Sequence, residues 1–138
     1  MTKITEHFYW SEAACKDGTE VPSEYRENVE DVSNDMEIVR KVLGNYPIEP
    51  NSWYRTVSYN KKIGGAPASQ HLEGKAIDFG LRQYDPIELF SVLNTLMDYG
   101  IISQGGLFLY DWGVHYDIRV NRVRGNYSTN FNFKRERL

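Results

Sequence analysis

The chain has 138 residues, 41% of them hydrophobic and 25% charged, with a formal net charge of −3. That is the size of one domain with one core, and the composition of a folded soluble protein rather than a disordered one. The negative charge speaks against generic nucleic-acid binding, and no apolar run approaches the roughly 20 residues that a membrane helix needs.

The N-terminal stretch MTKITEHFYWSEAAC lacks a continuous apolar region of the secretory type, so the expected location is the cytoplasm until the protein is released by another route. Cys15 stands alone, cannot close an intramolecular disulfide, and reads as a small buried hydrophobe. Charge is uneven along the chain. Residues 1–45 carry ten acids against five Lys/Arg, whereas residues 119–138 carry six Lys/Arg against one acid. The basic tail, about 121–138, suits either an anionic surface or a solvated terminus. No repeat or linker divides the sequence, so residues 1–138 are expected to form a single domain, assumed monomeric.

In chain order, Ser23 is placed to cap a helix running to about Leu43. Tyr25, Val29, Val32, Met36, Val39 and Leu43 fall at three- and four-residue steps on one face, and Gly44 with Pro47 supplies the stop. Trp53–Tyr59, rich in aromatic and β-branched residues, reads as a strand. Ala76–Leu81 alternates, with Ile77, Phe79 and Leu81 on one face and Ala76 and Asp78 on the other. A second helix opens at Asp85-Pro86 with Glu88 set for a capping box, presents Leu89, Val92, Leu93 and Leu96, and ends at Gly100. Gly113–Val120 alternates again: Val114, Tyr116, Ile118 and Val120 point one way, His115, Asp117 and Arg119 the other. This order of elements suggests an α+β fold with a small, mainly antiparallel sheet and helices packed on one side.

The chemistry concentrates in Ser69-Gln70-His71-Leu72-Glu73-Gly74-Lys75-Ala76-Ile77-Asp78. Seven extended residues would hold His71 and Asp78 roughly 23 Å apart, so they converge only if the chain turns, which Gly74 permits. With His115 they would make the three-ligand set of a catalytic zinc site. On spacing alone, a polar loop histidine beside a capping aspartate fits better.

The pattern Tyr54-Arg55, Asn60, Ile63-Gly64-Gly65, Ser69-Gln70-His71, Gly74-Lys75-Ala76, Asp78 and His115-Tyr116-Asp117 resembles the zinc D-alanyl-D-alanine carboxypeptidase family, which includes the phage L-alanyl-D-glutamate endopeptidases. The resemblance implies the Hedgehog/DD-peptidase fold and a zinc ion held by His71, Asp78 and His115. It further implies hydrolysis of a peptide bond beside a D-amino acid in the stem peptide of peptidoglycan, as in a phage endolysin. Arg55 matches the family's substrate-binding arginine, whose fork suits a carboxylate. Ser69 and Gln70 match positions near the substrate, although Ser69 also suits a local loop bond.

The general base departs from the pattern. Many relatives carry an acid three residues before the last histidine, and here that residue is Trp112. Asp111 and Asp117 are the two candidates. Asp117 would otherwise orient His115 or Arg119, Glu73 ranks third, and His7 reads as structural. The displaced acid also keeps open a non-catalytic alternative, a zinc-stabilised wall-binding or phage structural module. No G-x-S-x-G accompanies a serine nucleophile, and Cys15 has no activating partner.

Overall fold

The computed structural model describes residues 2–129. A short hairpin, β1 (Lys3–Thr5) and β2 (Phe8–Tyr9), leads into a single helical turn, α1 (Trp10–Ala13). A 3-10 turn (Ser23–Tyr25) opens the long helix α2 (Arg26–Val42). Then follow a short helix, α3 (Val57–Lys62), a 3-10 turn (Gln70–Glu73), strand β3 (Ala76–Phe79), helix α4 (Pro86–Asp98) and strands β4 (Gly106–Tyr110), β5 (Gly113–Asp117) and β6 (Val123–Asn126). The four main strands form one sheet in the order β3-β5-β4-β6, antiparallel except for the parallel β4–β6 pair. The fold is α+β with a small, mainly antiparallel sheet.

The apolar faces of α2 and α4 and the inward residues of the sheet share one cluster. Val29, Val32, Met36 and Val39 of α2, Leu89, Leu93 and Met97 of α4, and Ile77, Phe79, Leu107, Leu109, Val114 and Tyr116 are all buried in it. Strand periodicity forces the rest: with Val114 and Tyr116 of β5 turned to this core, His115 and Asp117 must face the other way. One anchor fixes the packing distance. Tyr116 passes through the cluster and shares its one hydroxyl proton between Asp35 Oδ2 on α2 at 2.7 Å and the Ser103 carbonyl at 2.9 Å.

Helix α4 starts as read, with Pro86 in the first turn and a reciprocal Asp85–Glu88 capping box. Three expectations need correcting. Ser23 does not cap α2 through its side chain; it begins the 3-10 turn that precedes the helix. Trp53–Tyr59 is not a strand: its neighbour Ser52 makes one isolated bridge to Asp78, and from Val57 the chain is helical. The Thr56 hydroxyl accepts the Tyr59 N–H at 3.1 Å, a helix cap that outweighs the β-propensity of Val57 and Tyr59. Strand β5 stops at Asp117, and Val120 is 94% exposed rather than inward. Asp117 ends the alternation by accepting the Arg119 N–H and turning the chain.

Part of the basic tail belongs to the sheet. Strand β6 pairs with β4, and Arg124 donates to Asn94 Oδ1 and to the Gly105 carbonyl, both at 2.7 Å. Lys134, Arg135 and Arg137 lie outside the described residues. His7 bonds Glu37 through its backbone N–H and Nδ1, both at 2.7 Å, tying the hairpin to α2. Cys15 is buried with a free thiol.

Candidate metal centre

Asp78, His115 and Phe108 stand in a row across β3, β5 and β4, because Asp78 pairs with His115 and His115 pairs with Phe108 in the ladder. Directly opposed residues share a sheet face, so the row points away from the core. The 3-10 turn brings His71 to the same place. Ser69 caps it by accepting the His71 N–H at 3.2 Å, and Gly74 closes it at φ +69°, a conformation disfavoured for residues with a Cβ. That turn collapses the separation that an extended chain would impose between His71 and Asp78.

Three donor atoms result, His71 Nε2, Asp78 Oδ1 and His115 Nδ1, all within 4.8 Å of one another. Each imidazole has its second nitrogen occupied. His71 Nδ1 lies 2.5 Å from the Trp53 carbonyl oxygen, which can only accept, so the proton sits on Nδ1. His115 Nε2 lies 2.8 Å from Asp117 Oδ2.

The electrostatics test whether a cation fits. Burial lowers the pKa of His71, and the nearby Asp78 only partly offsets it, so this imidazole favours the neutral form. Its Nε2 lies 3.0 Å from Asp78 Oδ1. A proton or a metal ion between the two atoms satisfies both, and a neutral imidazole with its proton on Nδ1 leaves that place to a metal. Burial opposes the charged form of Asp78, but hydrogen bonds from His115 and His71 outweigh it and hold the carboxyl well below the usual carboxylate range. For His115, burial acts downward, yet bonds to Asp117 and Asp78 prevail and raise its pKa. Two imidazole nitrogens and one carboxylate, with their outer partners fixed, match the donor set of a zinc site with room for water.

The site lies in a cleft of about 630 Å³. Arg55, Ser69, Gln70, His71, Asp78 and His115 all line it. Arg55 is held on three sides: Nε to Ser52 Oγ at 2.9 Å, one terminal nitrogen to Asn60 Oδ1 at 3.1 Å, the other to Asp78 Oδ2 at 3.3 Å. Asn60, itself buried, is fixed by donating to the Ala66 carbonyl at 2.9 Å.

The candidate bases sit elsewhere. Asp117 is fully buried behind His115, where it receives the Arg119 guanidinium at 2.7 and 2.8 Å and the Gly106 N–H at 3.0 Å. Asp111 lies in the β4–β5 turn and accepts the Thr129 N–H at 2.8 Å and its hydroxyl at 2.6 Å. Glu73 is exposed and pairs with Lys75 at 3.3 Å. None of the three lines the cleft. Trp112 does, together with Phe108, Tyr110 and Tyr127. Sequence reasoning overlooked this aromatic wall, although the alternation of Phe108 and Tyr110 along β4, opposite His115, carried the signal.

The model of the peptidase M15 family matches residues 5–117. A segment of 45 residues is 38% identical to a zinc D-Ala-D-Ala carboxypeptidase of Streptomyces albus G, covering 33% of this chain and 18% of that protein. The chain thus matches less than a fifth of the length of that curated relative.

Proposed function

The chain belongs to the peptidase M15 family, and from that membership we propose that it is a zinc-dependent peptidase of bacterial peptidoglycan, cutting a peptide bond beside a D-amino acid in the stem peptide. The observation that carries the reading is the convergence of His71 Nε2 and His115 Nδ1 on Asp78 Oδ1, at 3.0 and 2.8 Å, in an open cleft. The likeness to a D-Ala-D-Ala carboxypeptidase supports the substrate class. His71, Asp78 and His115 would hold the metal, and zinc bound there would supply an acidified water and a Lewis acid for the scissile carbonyl.

The remaining work falls to the chain's own groups. Arg55 enters the cleft already oriented by Ser52, Asn60 and Asp78, and its fork retains N–H donors for a substrate carboxylate. Pre-orientation of this kind turns binding energy into alignment of the reacting bond. Ser69 shapes the turn that presents His71, and Gln70 offers its amide to the substrate backbone. Asp117 holds His115 in the tautomer that frees Nδ1. Asp111 is the candidate general base; to take the proton from the attacking water and deliver it to the leaving amine it would have to leave Thr129 and enter the cleft, which it does not line.

Among the described residues Asp78 is the one carboxylate that lines the cleft, which favours a second reading, a zinc-stabilised module that binds wall without cutting it. Incubating purified peptidoglycan with zinc-loaded protein and resolving the fragments by mass separates the two. New N- or C-termini identify the bond and hence whether the enzyme trims a terminal D-Ala or opens L-Ala–D-Glu. Intact wall with retained protein would leave only the binding module.

A further inference from the structure

The cleft has one wall that hydrolysis does not use. Phe108 meets His115 edge-on, with ring centroids 5.3 Å apart. From there the rings run as a stack: Tyr127 on Phe108 at 6.0 Å, Tyr110 on Tyr127 at 5.3 Å, and Trp112 on Tyr110 at 4.8 Å, with interplanar angles of 22°, 23° and 14°. Tyr127 and Tyr110 each have a neighbour on both faces. Trp112 ends the series with one face on Tyr110 and 45% of its surface exposed. The wall therefore begins at a metal ligand and finishes in a half-exposed indole.

Its chemistry is specific. The Arg119 guanidinium lies 5.4 Å over Phe108 at the His115 end, no charged side chain among the described residues stacks on Tyr110 or Trp112, and the hydroxyls of Tyr110 and Tyr127 make no hydrogen bond to the described residues. Gly64, Gly65, Ala66 and Ala68 line the same cleft and leave its volume unfilled. A row of rings kept partly in water, with unengaged polar tips, is a binding surface rather than a core fragment.

We infer that the Trp112–Tyr110 end of this wall is a subsite for a pyranose ring of the peptidoglycan glycan strand, an inference that rests on the peptidase reading above. The polymer's own parts decide the occupant. Stem-peptide side chains are methyl groups, carboxylates and amines, and none presents a ring-sized apolar face. An amino sugar does: its C–H face is apolar, while its hydroxyls and N-acetyl group seek hydrogen bonds at the rim. A flat indole flanked by a phenol hydroxyl meets both requirements. Carboxylates are left to Arg55, outside the stack. One substrate would thus be read twice, by charge at the peptide and by stacking at the sugar.

The test compares kcat/KM of the zinc-loaded full chain on a disaccharide-peptide and on the sugar-free stem peptide of the same sequence. The glycosylated substrate is expected to be preferred about tenfold, the scale of one stacking contact, with Trp112→Ala bringing the ratio towards one and Trp112→Phe keeping part of it. Equal values for both substrates in the unaltered protein, or an unchanged ratio in Trp112→Ala, overturns the subsite. Fluorescence titration with the N-acetylated disaccharide alone reads the same subsite without catalysis. If neither substrate is cut, the peptidase reading fails and the titration decides: binding that Trp112→Ala weakens upholds the subsite, and no binding overturns it.

Discussion

Asp117 Oδ2 lies 2.8 Å from His115 Nε2, two residues back along the same strand. Side chains at i and i+2 share a face, so the pair is assembled by strand geometry alone. The neighbouring strand is shaped around it: a Cβ on Gly106 would fall 2.5 Å from the Asp117 carboxylate, and the Gly106 N–H donates to it instead. Arg119 closes the other side with a two-point contact. The carboxylate is thereby spent on orientation, which separates it from a group that must accept and release a proton in each turnover.

Replacing Asp117 by Asn is accordingly expected to weaken zinc binding by about 10- to 100-fold, the scale seen when the partner of a ligating histidine is removed. Asp111→Asn should retain zinc and lose activity by about 10²- to 10⁴-fold, as for loss of a general base. Competition with a chromogenic chelator and rates on cell wall measure both. Full zinc affinity in Asp117→Asn, or full activity in Asp111→Asn, would reverse these roles.

Metal-free protein should show a stability optimum near pH 6.5. The folded-state pKa of His71 is lowered, so below about 6.5 the unfolded chain takes up a proton that the folded one refuses, and stability falls with pH. That of His115 is raised, so above about 6.5 the unfolded chain sheds a proton that the folded one keeps, and stability falls as pH rises. Asp78 and Asp117 are depressed; their contribution is present above about pH 4 and is lost on further acidification. Zinc competes with the His115 proton for Nδ1, so its affinity should climb as pH passes upward through that raised value. Melting curves against pH, with chelator and with zinc, check both; a metal-free optimum at pH 8 or above contradicts the assignment.

Arg55→Lys is expected to leave zinc content unchanged and to lower kcat/KM by about tenfold or more, since an ammonium cannot reproduce a fork held by three acceptors while still serving a carboxylate. Steady-state kinetics on a stem peptide provide the measurement. Unaltered kcat/KM would remove Arg55 from substrate recognition.

Stripping zinc should lower the melting temperature without abolishing a cooperative transition. The core formed by α2, α4 and the inward sheet residues lies on the opposite face from the ligands and needs no metal to bury its side chains. Calorimetry with and without chelator tests this. A featureless melt in chelator would show that metal and core fold as one.

What could be read in advance followed from periodicity and local chemistry. Met36 and Leu93 announced their helices through three- and four-residue steps, and His115 announced its strand face through alternation. Trp53–Tyr59 misled because its composition is that of a strand, while its backbone is committed elsewhere: the Trp53 carbonyl to His71 Nδ1 and the Arg55 N–H to the His71 carbonyl. Those bonds join residues some 16–18 positions apart and leave no mark on composition. The place of β6 beside β4 was equally hidden, since a parallel pairing gives no hairpin signal. Family likeness drew attention to Asp111 and Asp117, and Arg119 was already in view as a partner of Asp117, yet Thr129, the partner of Asp111, emerged only in three dimensions.

Strand β5 is used on both faces at once: Tyr116 reaches Asp35 through the core, while His115 and Asp117 serve the metal side. Such a segment accepts substitutions one at a time but has no tolerance for insertions or deletions. Loss of Val114 would bring His115 to the position where Val114 packs and swing the Tyr116 ring into the cleft, cancelling the ligand and the anchor together. Length variation is left to segments such as residues 63–68, which border the cleft without belonging to the sheet. Changes in substrate preference can therefore accumulate there by adding or removing residues, while the catalytic strand keeps its count.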